Sequence, residues 1–391
     1  MIRMLPLRRM ALLSLLALAT ACSKHDETPA TPATPELATF EKTVPLPASY
    51  RSPSDVAELT DGSLFVLATA EISVSPLVDR PVGIKLTAAG DTLWTRRYLF
   101  GTAPHYGVGY QCLPTSDGNV VFTAKTLLSA NIYEPRLTKL NAATGAVLWT
   151  LAFPDRIFVS TCRVASTADG GFLLVDNEND QSFRLHTITA AGTLASTTTL
   201  PYGLVSDIRP TTDGNFIIAS VQNAASQPQP VLTKLTAQGS VLWSRPTAAT
   251  GFGATVSVAQ TPDGGYALAS GISYTNSLNP LRLLKTDANG QQQFVRSYPA
   301  TEGFSTRLGL NAGKLVLAGA LTTSSGTLTK MHPLVLRLDA ATGAEELRQA
   351  RPQVAYGSVA SFTTTRDGKL LLCSSEEGKL VLRKTNPDLT N

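Results

Sequence analysis

A short turn pattern that recurs along most of the chain constrains the fold more than any other feature of the sequence. The pattern is Thr-x-Asp-Gly or a close variant, and an apolar run follows it each time. An Asp-Gly pair between two runs rich in β-formers is typical of a hairpin turn, because glycine accepts the positive φ that the turn requires. The Asp-Gly pairs fall at 61–62, 117–118, 169–170, 213–214, 263–264 and 367–368, and a degenerate copy occupies 311–313.

The spacing of these turns predicts the architecture. Neighbouring copies are 44 to 56 residues apart, and most units contain a second hairpin glycine, for example Gly90, Gly145 and Gly239. A unit of this length with two tight turns fits one four-stranded blade of a propeller. The sequence therefore predicts an all-β fold, a seven-bladed β-propeller of four-stranded antiparallel blades.

The two ends of the repeat region predict how the ring closes. The seventh unit stops after its third strand, at 379–384, and lacks an outer strand. The segment 39–47 precedes the first unit and is similar to the outer strand at 293–299. We expect this N-terminal strand to complete the last blade, which also removes two exposed sheet edges.

The tryptophan positions resemble those of a known family. Trp94, Trp149 and Trp243 occupy one repeat position, and the stretch around Gly145 resembles the tryptophan-docking motif of quinoprotein (PQQ-type) propellers. The turns are similar to those of secreted and lipid-anchored bacterial propellers. Because a residue that recurs at one repeat position serves packing between blades, we assign the tryptophans to the scaffold. Quinoprotein enzymes add a vicinal Cys-Cys pair, which this sequence lacks, and we expect no cofactor.

The first residues predict export. Arg3, Arg8 and Arg9 precede a short apolar core at 10–19, and small residues follow at 20–21. A charged start, an apolar core of this length and small residues at the cut are typical of a secretory signal peptide, which we assign to 1–21.

The cysteine after the expected cut predicts a lipid anchor. Residues 18–22 resemble a bacterial lipobox, with Ala19 where that family usually has leucine. The resemblance implies diacylglycerol on the sulfur of Cys22; the alternative is an ordinary signal peptide with an incidental cysteine. We expect a lipid-anchored Thr/Pro-rich tether at 22–38 and the propeller at 39–391. The acidic stretch after Cys22 resembles the signal that sends some lipoproteins to the cell surface, and a plain solvated linker is the alternative.

The charge balance bears on which partners are expected. The formal net charge is +4, but three of the positive charges lie in the segment expected to be removed. Because nucleic-acid binders carry a basic excess, we expect no nucleic-acid partner. Cys112, Cys162 and Cys373 lie in apolar runs, and we expect them to be buried thiols.

Two sets of inner-strand residues are candidates for ligand binding. An aromatic residue stands eleven positions before most turn aspartates, and a collar of such rings suits stacking on a sugar or an apolar peptide. Packing by repeat position is the alternative. Five positions further on the side chains are mostly polar, and strict alternation predicts that they line a water-filled channel. The candidates are Tyr106, Tyr202, Phe252 and Tyr356 in the collar, and Asp55, Arg163 and Asp207 in the channel.

No catalytic or metal-binding constellation is recognisable in the sequence. A general acid/base pair could lie among Asp55, Asp207 and Arg163, but we favour the alternative that mixed charges around a wet channel neutralise one another. No histidine pair has metal-ligand spacing. Loops between the second and third strands and between blades vary in composition, so that face is the expected binding surface.

These observations give three functional hypotheses. The first is a non-catalytic, monomeric outer-membrane lipoprotein, possible on either side of that membrane, whose propeller binds an envelope protein or an extracellular polymer. The second is a propeller enzyme, a hydrolase, lyase or quinone-dependent oxidoreductase, with its site at the channel mouth. The third is a scaffold similar to the propeller lipoprotein that supports insertion of outer-membrane barrels.

Overall fold

The computed structural model describes most of the chain beyond the expected tether. The described ranges are 38–45, 50–74, 77–100, 107–129, 132–153, 161–179, 181–224, 227–249, 252–253, 256–270, 280–325 and 328–390. The expected signal peptide, Cys22 and nearly all of the tether lie outside these ranges. No helix in the described part of the chain is long and apolar enough to cross a bilayer.

The regular structure of the described residues is entirely β. The first strands are β1 (Phe40–Val44), β2 (Tyr50–Glu58), β3 (Leu64–Val74), β4 (Leu77–Leu86), β5 (Thr92–Arg97), β6 (Gly107–Pro114), β7 (Val120–Ser129), β8 (Ile132–Leu140), β9 (Val147–Ala152), β10 (Cys162–Ser166), β11 (Phe172–Asn177), β12 (Phe183–Ile188) and β13 (Leu194–Leu200).

The second half continues with the same order of short antiparallel strands. They are β14 (Leu204–Pro210), β15 (Phe216–Ala224), β16 (Gln227–Leu235), β17 (Val241–Pro246), β18 (Val256–Gln260), β19 (Tyr266–Ser270), β20 (Pro280–Thr286), β21 (Gln292–Asn311), β22 (Lys314–Ser325), β23 (Leu328–Leu338), β24 (Glu345–Ala350), β25 (Gly357–Thr364), β26 (Leu370–Glu376) and β27 (Lys379–Thr385).

These strands form the seven-bladed propeller that the repeat predicts. The first four blades are β2–β5, β6–β9, β10–β13 and β14–β17 in sequence order. The fifth and sixth share one long strand, β21, whose first part pairs with β20 and whose second part pairs with β22. In the first six blades the strand that comes first in the chain is innermost, and in the seventh blade the innermost strand is β25, so the inner strands meet around the central axis.

The ring closes as predicted. The seventh blade has the order β1-β27-β26-β25, so the N-terminal strand supplies its outer edge. The register pairs Phe40 with Lys384 and Val44 with Leu380. The carboxylate of Glu41 accepts two hydrogen bonds of 2.9 Å from the Arg351 guanidinium and one of 3.1 Å from Arg383 Nε. An ionic cluster therefore holds the first strand to the last blade.

The core lies between adjacent blades. One cluster joins Val66 and Ile84 of the first blade to Leu371 and Leu382 of the seventh, and similar clusters join other neighbours. Each blade buries both faces of its inner strands against its neighbours, which explains their near-continuous apolar sequence.

A buried lysine braces the predicted Asp-Gly turn in five of the blades. Lys285 on β20 is fully buried, and its Nζ lies 2.8 Å from Asp263 in the turn between β18 and β19. The third blade has Thr187 at this position. The other pairs are Lys85–Asp61, Lys139–Asp117, Lys234–Asp213 and Lys384–Asp367.

The tryptophans pack between blades, as predicted. Trp94 Nε1 donates a 3.3 Å hydrogen bond to the carbonyl of Ala142 in the next blade. Its ring covers Gly145, where a Cβ atom would lie 2.9 Å from Trp94 Cη2. Phe40 occupies the same place against Gly90, so the closing strand uses the same contact.

Candidate functional site at the central channel

The polar residue at one repeat position of the inner strand binds the backbone of the next blade. Asp55 Oδ2 accepts a 3.0 Å hydrogen bond from the backbone N–H of Cys112. Gln111 exchanges two 3.0 Å hydrogen bonds with the backbone of Val164. These backbone groups lie on the free edge of an inner strand, where no further strand of the same blade can pair with them.

The same contact continues around the ring. Asp207 Oδ2 accepts hydrogen bonds from Val258 N at 3.2 Å and from the Ser257 hydroxyl at 3.0 Å. Ser257 Oγ in turn accepts a 3.0 Å bond from Leu308 N. The Ser361 hydroxyl donates to Asp55 and so connects the seventh blade to the first.

Arg163 spans three blades. Its Nη1 donates a 3.0 Å hydrogen bond to the carbonyl of Tyr110, and its Nε donates a 3.4 Å bond to the carbonyl of Ser206. We call this ring of contacts the inner belt; it comprises Asp55, Gln111, Arg163, Asp207, Ser257, Arg307 and Ser361. The belt satisfies strand-edge groups that would otherwise be buried without partners.

The charged residues of the belt interact electrostatically with one another across the central axis. Burial raises the pKa of Asp207, but the charges of Arg209, Arg307 and Arg163 outweigh it and leave the pKa below its usual value. Arg163 and Arg209 belong to the adjacent third and fourth blades, whereas Arg307 belongs to the sixth blade, which approaches them only at the centre of the ring. Asp207 is therefore held as a carboxylate among cations.

The placement of the belt differs from the expected wet channel. Asp55 is 1% exposed and Asp207 3% exposed, and each accepts hydrogen bonds from neighbouring blades. Alternation along the strand predicts side chains that face water, but the inner strand of a propeller faces a neighbouring blade on each side. The polar side chains consequently bind across blade boundaries.

A cavity opens at the end of the channel where the inner strands run into the Thr-x-Asp-Gly turns. Its volume is about 520 Å³, and the fourth to seventh blades contribute to it. Two cationic residues, Arg209 and Arg307, lie in its wall together with Gln260, Thr363 and Phe362. Sequence analysis placed the expected binding surface on the opposite face and missed Arg209, although it departs from its repeat equivalents.

The members of the aromatic collar differ in how deeply they are buried. Phe252 is buried in the cluster between the fourth and fifth blades, and half-buried Tyr202 packs against the preceding cluster. These two placements favour packing. Tyr356 is 52% exposed, and Tyr106 lies outside the described residues.

Tyr356 is held firmly although its ring is exposed. Glu377 Oε1 accepts hydrogen bonds from the backbone N–H groups of Ala355 and Tyr356, and Glu377 N donates a 2.8 Å bond to the carbonyl of Tyr356. Tyr356 also forms a parallel bridge with Met331, another exposed apolar residue. The pair presents a rigid apolar surface on the face with the looser connections.

The third blade contains a buried ionic cluster that sequence analysis missed. Arg184 makes a two-point contact with Asp176, with distances of 3.1 and 3.2 Å. His186 lies 3.3 Å from Asp176 Oδ1 through Nε2 and 2.8 Å from Thr197 Oγ1 through Nδ1. The ring of Phe153 covers His186, with 4.3 Å between ring centroids. The cluster holds β11, β12 and β13 of this blade together through buried polar side chains.

The cysteines match the expectation of buried thiols. Cys112, Cys162 and Cys373 are free and buried, and burial raises the pKa of each thiol. Within the described ranges no cluster of three or more His, Cys, Asp or Glu side chains could hold a metal ion.

Comparison with known proteins identifies the family. The family model described as outer membrane protein assembly factor BamB matches residues 82–381. This chain belongs to that family. The match confirms the resemblance to PQQ-type propellers. No curated protein matches the chain.

Two solved structures are similar to the chain. The Dos1 propeller aligns with a TM-score of 0.52 at 9% identity and covers 90% of this chain and 97% of its own. A crystal structure of a protein of unknown function from Bacteroides caccae aligns with a TM-score of 0.46 at 15% identity, over 65% of this chain and 87% of its own. At these identities the Dos1 likeness supports the propeller fold alone.

Proposed function

We propose that this protein is a non-catalytic lipoprotein of the cell envelope whose propeller binds another envelope protein. The observation that carries the proposal is the exposed but rigid pair of Tyr356 and Met331. Aromatic residues and methionine are enriched in protein interfaces, and a residue whose backbone is already fixed loses little backbone entropy on binding.

The inner belt supports a scaffold function. Asp55, Asp207 and Arg163 are the residues from which an acid/base site could be built, and each is engaged in contacts between blades. A carboxylate that accepts hydrogen bonds in its charged form is a poor general acid near neutral pH. In this proposal their task is to hold the disc rigid while loops on its face make contact with the partner.

The expected lipid on Cys22 supplies the membrane attachment in this proposal. Two or more acyl chains anchor a protein stably, and the Thr/Pro-rich tether would keep the propeller clear of the bilayer. The family description, which names an outer-membrane assembly factor, supports placement in the envelope. It also favours a second candidate function, a scaffold for the assembly of outer-membrane proteins.

Site-specific photo-crosslinking in the native envelope tests the proposal. A photoreactive residue replaces Tyr356 in the full lipidated protein, and captured proteins are identified by mass spectrometry. The matched control carries the same residue at Leu242, an exposed apolar position on the outer strand of the fourth blade. We expect one protein partner captured through position 356 and not through position 242.

The outcomes separate the hypotheses. Capture of a component that inserts outer-membrane barrels supports the assembly scaffold, whereas capture of another envelope protein supports the general binding function. Equal capture at both positions, or none at 356, contradicts the proposed surface. Substrate turnover by the purified protein that is lost on Asp55→Asn or Asp207→Asn would instead establish the enzyme hypothesis.

A further inference from the structure

The cavity at the tight-turn end of the channel exists because one layer of the inner strands is built from small residues. Arg209 lies two positions after the belt residue of the fourth blade. At the same position the next three blades have Ala259, Gly309 and Thr363. Large side chains there would close the channel mouth; instead a space of about 520 Å³ remains. The one long polar residue of this layer, Arg209, lies in its wall.

The channel residues around the cavity leave a positive charge without a matching carboxylate. Arg209 Nε lies 3.1 Å from the carboxylate of Asp207, and Arg307 Nη1 lies 3.9 Å from Asp55 Oδ1. The hydrogen bonds of Arg163 go to neutral carbonyl groups. Among these belt and cavity residues, three guanidinium groups therefore face two carboxylates.

The two carboxylates already accept hydrogen bonds from other groups, so they neutralise the arginine charges less completely. Asp55 already accepts bonds from Cys112 N and the Ser361 hydroxyl, and Asp207 from Val258 N and the Ser257 hydroxyl. At 3.9 Å, Arg307 is beyond hydrogen-bond distance of Asp55. Its side chain is nevertheless only 15% exposed. Arg307 is thus a largely buried cation with spare donors in the cavity wall.

The pKa of Arg209 is lowered, as expected for a buried cation that lies close to other cations. Burial, followed by the neighbouring charge of Arg307, lowers the pKa of Arg209 to about 10, although Asp207 and Asp55 act in the opposite direction. Two cations in a poorly solvated space repel each other, and an anion between them would relieve that repulsion.

We propose that this cavity binds a small organic monoanion, a carboxylate attached to an apolar group. Arg307 and Arg209 would bind the carboxylate, because guanidinium groups pair with it through two parallel hydrogen bonds. The apolar group would lie against Phe362, Leu308 and Leu310, which also line the cavity. Both the volume and the mixture of apolar wall and few polar groups are those of a small-molecule site.

This site goes beyond the proposed function. Tyr356 directly precedes β25, whereas Thr363 and Thr364 end it, so the two sites lie at opposite ends of the same inner strand. Loss of partner binding at Tyr356 therefore leaves the anion site to be judged by itself.

Isothermal titration calorimetry with benzoate tests the proposal on the full-length protein in detergent. Benzamide, which has the same shape and no charge, is the second probe. We expect benzoate to bind at one site per protein and benzamide to bind at least about tenfold more weakly, as loss of a charge-assisted contact predicts. Arg307→Gln should weaken benzoate binding by a similar factor.

Two further variants keep the test decisive. Thr363→Phe fills the cavity without changing charge and should abolish benzoate binding, even if Arg307→Gln fails to fold. Arg296→Gln removes an exposed arginine from the outer part of β21 and should leave binding unchanged. The proposal is overturned if benzoate does not bind, if benzamide binds equally well, or if a folded Thr363→Phe variant binds benzoate like the parent.

Discussion

At the scale of single residues, the repeated lysine links the third strand of a blade to its Asp-Gly turn. The stem of Lys285 is buried, and its ammonium group reaches Asp263, the carbonyl of Thr286 and the amide oxygen of Gln293. All of its donors are therefore satisfied at the edge of the core, where an unpaired ammonium would be costly. The sixth blade reverses the arrangement, since Lys314 begins β22 directly after the first turn and pairs with Asp339 in the second hairpin.

Replacing Lys285 by methionine should destabilise the fold. Methionine fills a similar volume but leaves Asp263, which is 50% exposed, without its cation. Because water can solvate that carboxylate, we expect a loss of about 1–2 kcal/mol in the free energy of unfolding, less than for a fully buried pair. Chemical denaturation of the parent protein and the variant measures this loss. Lys314→Met is the control and should cost less; an equal loss would contradict the importance of burial.

The turn carboxylates also predict acid sensitivity. Burial raises the pKa of Asp61, but hydrogen bonds from Ser63 and Lys85 outweigh it and lower the pKa to about 2. The folded-state pKa lies below the unfolded one, so the ionised group stabilises the fold above about pH 4 and loses that effect as the pH falls to about 2. The pKa values of Asp117, Asp213, Asp263 and Asp367 are lowered as well.

Thermal unfolding measured between about pH 5 and about pH 2 tests this expectation. The melting temperature should fall steeply within that window. Asp61→Asn should lower the melting temperature at pH 5 and make its fall with acid shallower, because one linked proton is removed. An unchanged slope would show that Asp61 titrates alike in the folded and unfolded states.

At the scale of elements, the outer strand of one blade and a hairpin glycine of the next form the recurring joint. Gly290 has a φ of +77°, and a Cβ atom there would lie 2.8 Å from Trp243 Cζ3. Gly214 has nearly the same φ, +76°, but nothing lies within 4 Å of its Cβ position. A side chain at Gly290 is therefore disfavoured both by the positive φ and by the tryptophan ring, whereas at Gly214 it is disfavoured by the positive φ alone.

Comparing Gly290→Ala with Gly214→Ala should separate the two effects. Positive φ costs an alanine about 1–2 kcal/mol at either position. At Gly290 the ring of Trp243 must also move, so we expect a further loss of about 1–3 kcal/mol in the free energy of unfolding. Urea denaturation of both variants provides the measurement. Equal losses would mean that the tryptophan joint adapts without cost.

At the scale of the whole molecule, the fold could be predicted because every blade repeats the same local signals. Asp-Gly turns, alternating apolar runs and outer-strand aromatics are short-range features, and their period alone indicates a propeller. The interaction of Arg307 with Asp55 depends instead on where different blades meet. The sequence places these residues at one repeat position but contains no local signal for a contact across the axis.

The candidate site was harder to predict for the same reason. Tyr202, Phe252 and Tyr356 share a repeat position, yet the first two pack in the core and the third is exposed. The cavity beside Arg209 depends on small residues in three neighbouring blades. Such a site is recognisable only when departures from the repeat are compared between blades, after the order of the blades around the ring is known.

The ionic cluster that closes the ring predicts that removing the charge of Glu41 loosens the closing strand. Arg351 and Arg383 approach both Glu41 on the closing strand and Glu376 on β26. Burial and the nearby Arg351 charge lower the pKa of Arg383 to about 10, and Glu41 opposes this shift. Glu41→Gln leaves the two guanidinium groups with one carboxylate, and their repulsion should loosen β1 from β27.

Hydrogen exchange followed by mass spectrometry should register this loosening as faster exchange in β1 and β27 of the Glu41→Gln variant. The strands β14 to β17 of the fourth blade should keep their protection, because local opening at an edge strand does not require global unfolding. Glu345→Gln is the matched control, since its partner Arg348 lies on the same strand, β24. Accelerated exchange in every blade would contradict this expectation. It would show that the pairing of β1 with β27 determines the stability of the entire ring, so that the propeller opens as one cooperative unit.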